Sequence, residues 1–186
     1  MKLNTRQIVI SGLLVALALV LGVTGLGFIP VPTPAGAATL MHIPVELAGI
    51  LEGPVVGSFV GLIFGLFTLR FLADPRVVIP ARLLIGIVSY LVYAGCGKKP
   101  WSIPLAAIAG SLTNTVGTLG LAVVFGYMPF SGPEGAIAIA LLQGAPEAIL
   151  AAVIITPIAI AVQRLEAHKP APAHRGIKPP WGLGRR

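Results

Sequence analysis

The chain has 186 residues, a net charge of +7, only 10% charged residues and a mean hydropathy of +0.95. No Lys, Arg, Asp or Glu occurs between Gln7 and Val45, from Gly53 to Leu69, from Leu83 to Gly97 or from Pro100 to Pro133. A water-soluble domain of this size has too much surface to hide so much apolar chain, so that class is excluded, and lipid is the expected solvent. The runs are too long and too continuous for barrel strands of alternating polarity, which leaves helices.

Helix 1 is predicted from about Thr5 to Gly27. Phe28 to Gly36 cannot be helical, because Pro30, Pro32 and Pro34 alternate along it. That stretch carries no charge, which points to packing against protein. Helix 2 is predicted from about Ala38 to Leu51, followed by the Glu52-Gly53-Pro54 turn. Pro54 suits the first turn of helix 3, which runs to about Phe71. Helix 4 is placed at about Ile79 to Ala94, helix 5 at Trp101 to Tyr127 and helix 6 at Glu134 to His168. The expected fold is therefore an all-α integral membrane domain of six transmembrane helices over residues 1–168. Residues 169–186 are rich in Pro, Gly and basic side chains and are expected to form a disordered cytoplasmic tail.

Six spans put both termini on one side. Lys2, Arg6, Lys98, Lys99, Arg164 and the basic residues of the tail share that side, while only Arg70, Arg76 and Arg82 fall on the other. The positive-inside rule makes the first side cytoplasmic. The net positive charge thus follows membrane topology, and no basic groove for nucleic acid is present. Helices 2 and 4, as predicted, are short for a hydrocarbon core of roughly 30 Å. With proline-rich outer loops, they suggest a cavity open to the outside.

A charged group at membrane depth costs on the order of 3 kcal/mol on insertion scales, so each asks for a reason. Glu147 and Gln143 share one face of helix 6 and point to ligand contact. Asn114, Thr113, Thr115 and Thr118 make a polar patch in helix 5 that either meets a ligand or joins helices by hydrogen bonds. Arg82 is a candidate anion-binding or gating residue. Arg70 either contributes to the outer mouth or extends to the interface. His42 and Glu46 are one turn apart, so His42 either joins the site or bonds to Glu46. The basic outer mouth favours an anionic or carboxylate-bearing ligand.

Small residues repeat at spacing four in helix 1 (Gly12 and Ala16, Ala18 and Gly22) and in helix 3 (Gly57, Gly61, Gly65). Such strips allow close helix contact in lipid. The helix 3 strip reads as internal packing, whereas Gly12 and Ala16 offer a face for a partner. There is no phosphate-binding Gly-Lys-Ser/Thr loop, no zinc motif and no nucleophile elbow, so neither ATP hydrolysis, a metal centre nor a cofactor is expected of this chain.

Met41-His42-Ile43-Pro44-Val45, the run from Gly49 to Gly57 and Gly61 to Leu66 resemble the substrate-binding S components of energy-coupling factor transporters. So do Pro80 to Gly86 with its arginine, Gly110 to Gly117, and Gly144-Ala145-Pro146-Glu147-Ala148. The resemblance covers about Thr5 to Leu165. It implies a prokaryotic multi-pass membrane protein that captures a vitamin or related small molecule at the outer face. It further implies a ligand site in the outer halves of helices 4 to 6, with the first loop as a lid. Its partners would be a transmembrane coupling subunit, which contacts a small-residue motif in helix 1 matched here by Gly12 and Ala16, and two cytoplasmic ATPases. Pantothenate, folate and riboflavin fit this reading loosely. The rival reading is a stand-alone ion-coupled secondary transporter with Glu46 or Glu147 as its ion site.

Overall fold

The computed structural model describes residues 4–30, 37–70 and 74–168. Helices α1 (Thr5–Val23), α2 (Ile43–Glu52), α3 (Pro54–Thr68), α4 (Pro75–Gly95), α5 (Ser102–Val124) and α6 (Ala136–Ala167) run alternately up and down. Four of them, α1, α4, α5 and α6, are long and apolar enough to cross a membrane. The predicted tail, residues 169–186, and most of the predicted lid, residues 31–36, lie outside the described residues.

Two predicted boundaries are corrected by local chemistry. Helix 1 ends at Val23, because Thr24 returns its hydroxyl to the Val20 carbonyl (2.6 Å) and Gly25 takes a positive φ of 76°. A short antiparallel pair then forms between β1 (Phe28–Pro30) and β2 (Ala37–Thr39), so the domain is not purely helical. Pro30 sits at the end of a two-stranded ladder, where its missing N–H is tolerated. Helix 2 consequently starts at Ile43 rather than near Ala38.

Helix 4 is not short, contrary to the sequence expectation. It starts at Pro75 rather than Ile79 and spans 21 residues. Asp74 caps it, accepting from the Arg76 amide at 2.8 Å, while Pro75 occupies the first turn. Pro80 lies inside the helix, where it removes the i→i−4 bond to the Arg76 carbonyl without ending the helix. The Arg76 guanidinium (2.9 Å) and the Tyr127 hydroxyl (2.5 Å) also bond Asp74, and together they hold its carboxyl well below the usual carboxylate range.

The helices are apolar on nearly every face, so size rather than polarity sorts their sides. Leu13, Leu17, Val116 and Val153 point outward, while Ala106, Ala107, Ala151 and Ala159 are fully buried. Short α2, about 15 Å by helical rise, is the hub. Ile43 through Ile50 are all buried, and α2 touches α1, α3, α4, α5 and α6. Three helices converge on glycines: a Cβ placed on Gly57 of α3 would lie 2.9 Å from the Cα atoms of both Gly49 and Gly86.

Hydrogen bonds identify the two ends of the bundle. Arg6 of α1 is ion-paired with Glu52 at the end of α2 (2.7 Å) and with Glu166 near the end of α6. The Gln163 amide donates to the Tyr93 hydroxyl near the end of α4 (2.8 Å). The β-pair, the end of α3 and the starts of α4 and α6 lie at the opposite end, where β2 is bonded to α6.

Candidate functional site

A cavity of about 500 Å³ opens among β1, β2, α3, α4, α5 and α6 at the end with the β-pair. This volume lies within the usual range for small-molecule sites. Phe28, Met41, Leu119 and Ile139 supply apolar wall. Arg82, Asn114, Thr115, Thr118, Gln143 and Glu147 supply polar groups.

Arg82 enters from the second turn of α4 and is 5% exposed. Its Nη1 donates to Asn114 Oδ1 and to Thr118 Oγ1 (2.7 Å), and its guanidinium lies 4.7 Å from the centroid of the Phe64 ring. Thr118 in turn donates to the Asn114 carbonyl at 2.7 Å. The cation is therefore oriented by neutral acceptors and an aromatic face. No carboxylate contacts it among the described residues, and its Nε has no hydrogen-bond partner among them. An anionic ligand group would supply the missing acceptor.

Glu147 enters from α6 and is 1% exposed. Its Oε1 accepts from the Thr39 amide at 2.5 Å and from Gln143 Nε2 at 3.2 Å. The carboxylate thus fastens β2 to α6. A π turn at Ala140–Gly144 sets this arrangement. Pro146 offers no N–H and its ring conflicts with the carbonyl four residues earlier, so the helix widens by one residue per turn there. Gly144 lets α6 approach α5: a Cβ on it would lie 2.7 Å from Thr115 Cγ2.

Six sequence-predicted residues, Arg82, Asn114, Thr115, Thr118, Gln143 and Glu147, therefore line one cavity. His42 does not line it. It is fully buried at the start of α2, with Nε2 3.8 Å from Glu46 Oε1. Arg70 is exposed just after α3, with its guanidinium 5.2 Å from the Phe67 ring, and is also outside the cavity wall. Thr113 bonds the Ala109 carbonyl of its own helix at 2.7 Å and does not line the wall either. Gly12 and Ala16 are exposed on α1, and a Cβ on Gly12 would meet nothing within 4 Å. Ala18 and Gly22, the other small pair of α1, are buried instead, with Gly22 set against Met41 and Phe67.

Phe28, the first residue of the predicted lid, also lines the cavity, as do Thr39, Phe64 and Thr68, which sequence reasoning did not find. Thr39 contributes a backbone amide, which leaves no trace in residue type. Phe64 and Thr68 form a one-turn pair on α3 that a search for aromatic neighbours of an embedded arginine could have found.

Fold and cavity are those of a helical membrane protein with a partly polar hollow of small-molecule size. The chain belongs to the family of ECF transporter substrate-specific components, whose profile it matches over residues 6–159. It is accordingly a multi-pass protein of a prokaryotic cell membrane. The pantothenic acid transporter PanT of Lactococcus lactis subsp. cremoris (strain MG1363) is 31% identical to it, in a match covering 42% of this chain and 52% of that protein. The chain thus spans about half the length of this curated relative.

Proposed function

We propose that this protein is the substrate-capture subunit of an ECF-type importer, with pantothenate or a close chemical relative as its ligand. Arg82 carries the reading: a buried guanidinium, held by neutral groups, lines a cavity of small-molecule size. The ligand's carboxylate would bind Arg82, and a hydroxyl or amide N–H would reach Glu147 and Gln143. Phe28, Met41, Leu119 and Ile139 would cover its aliphatic middle. The likeness to a pantothenic acid transporter supports the choice of ligand.

The end carrying the cavity is the outer one in this reading, and both termini are cytoplasmic, in line with the distribution of basic residues. The β-pair, which gives Phe28 and Thr39 to the cavity wall, forms part of the lid. The subunit itself is non-catalytic. A transmembrane coupling subunit and two cytoplasmic ATPases would reorient it and release the ligand inside. Uptake into proteoliposomes that contain this chain alone, driven by an ion gradient, would instead establish the secondary-transporter reading.

Mass spectrometry of the small molecule retained by the detergent-purified protein, followed by titration with pantothenate, tests the ligand. Glu147→Gln keeps the acceptor for the Thr39 amide but removes the charge. Its expected effect is a pantothenate affinity weakened by about 1–3 kcal/mol. An unchanged dissociation constant would reduce Glu147 to a fastener of β2.

The exposed strip of Gly12 and Ala16 is the proposed contact with the coupling subunit. Gly12→Leu and Ala16→Leu are expected to bind pantothenate normally, yet to fail in co-purification with the coupling subunit and in uptake. Normal assembly of both variants would reject this face.

A further inference from the structure

A second polar cluster lies deeper in the bundle, off the cavity wall. His42 and Glu46 of α2 and Ser89 of α4 are all 0% exposed. Neither carboxylate oxygen of Glu46 nor Ser89 Oγ makes a hydrogen bond among the described residues, and His42 meets only the Thr39 backbone, outside ordinary hydrogen-bond geometry. His42 Nε2 and Glu46 Oε1 are 3.8 Å apart, one helical turn from each other. Ser89 Oγ and the Glu46 side chain both border Gly110 of α5, where an added Cβ would fall 2.8 Å from Glu46 Cγ.

The surrounding charges do not neutralise this cluster. α2 packs on α1, α3, α4, α5 and α6. Arg82 of α4 acts on His42, and Glu147 of α6 acts on Glu46 as a like charge. Arg82 is already engaged with Asn114 and Thr118. The remaining ionisable group of α1, Arg6, is paired at the far end with Glu52 and Glu166. Neither α3 nor α5 contains an ionisable residue within its bounds. A bare carboxylate here would bear the desolvation of a buried charge and the repulsion of a second carboxylate, with no donor at ordinary hydrogen-bond distance. A carboxylic acid has no such cost, and it has an acceptor within reach of a small side-chain rotation, the imidazole nitrogen of His42.

We propose that Glu46, His42 and Ser89 form a proton-binding site in the membrane core, distinct from the ligand cavity, with the proton on Glu46 and shared toward His42 Nε2. The site sits under the ligand cavity, because Thr39 and Met41, immediately before His42, are part of the cavity wall. Loss of the proton would place a second negative charge beneath Arg82 and Glu147, so the occupancy of this site sets the electrostatic balance that an anionic ligand meets.

The test needs no ligand and is therefore independent of the proposed function. Infrared spectra of the full chain in an ester-free maltoside detergent at neutral pH, in H2O and D2O, report the C=O stretch of a protonated carboxyl, which a carboxylate lacks. We expect one such band, lost in Glu46→Gln and retained in Glu147→Gln. His42→Leu should keep the band but shift it to higher frequency, since the acceptor is withdrawn. That second variant decides the matter if Glu46→Gln fails to fold. The proposal is overturned by the absence of the band in the native protein, by its persistence in Glu46→Gln, or by an unshifted band in His42→Leu.

Discussion

Replacing Arg82 with Gln is expected to abolish useful ligand capture. The guanidinium is buried, and its donors are only partly used by Asn114 and Thr118. In the proposed complex its remaining donors meet the ligand's carboxylate in a site that excludes water. Truncating one partner of such a pair costs about 2–5 kcal/mol, much of it from stranding the other charge. That is roughly 30-fold to several thousand-fold in the dissociation constant for pantothenate, measured by calorimetry on the purified protein. Glutamine can still donate to Asn114 or Thr118, so the variant is expected to fold. Arg82→Lys keeps the charge but not the planar fork, and should recover only part of the loss. Wild-type affinity in Arg82→Gln would remove the anchor from the proposed site and, with it, the argument for an anionic ligand.

The largest effect on stability is expected at the glycine crossing. A Cβ on Gly86 would lie 2.5 Å from the Gly57 Cα and 2.6 Å from its carbonyl carbon, and these are backbone atoms that cannot rotate away. Gly86→Val must therefore push α3 from α4, and both pack on α2. Overpacking of this kind costs about 1–3 kcal/mol and more where the neighbour is rigid, so this variant should stand at or above the upper end. Thermal unfolding of the ligand-free protein in detergent reads the loss. Gly12→Leu is the matched control, because it adds a larger side chain in a place where nothing is near. Equal melting temperatures for Gly86→Val and the wild type would mean that α3 and α4 do not cross as described.

These two positions differ in how far the sequence discloses them. Arg82, Asn114, Gln143 and Glu147 stand out in an apolar chain, because a polar group in lipid is expensive and needs a compensating partner. Their selection required only charge and context. Gly86 does not stand out among the 23 glycines. Its importance comes from meeting Gly49 and Gly57, which belong to other helices. The same holds for His42: its spacing to Glu46 is legible, but not that the pair lies below the cavity instead of in its wall. The predicted shortness of helix 4 does not hold, because Asp74 caps the helix and Pro75 opens it one turn before Ile79.

By itself the sequence determined the solvent, the six-helix organisation and the small set of embedded polar residues. Each of these follows from the cost of placing a charge, or an unsatisfied backbone, in hydrocarbon, a local property of each segment. Only the tertiary structure decided which polar residues share a cavity, that α2 is the enclosed hub, and that the Thr39 amide and the Phe64 ring complete the wall. Those outcomes depend on how closely helices approach and on the rotation of each about its axis. Where every face is apolar, packing of small against large side chains sets both, and no single segment encodes it.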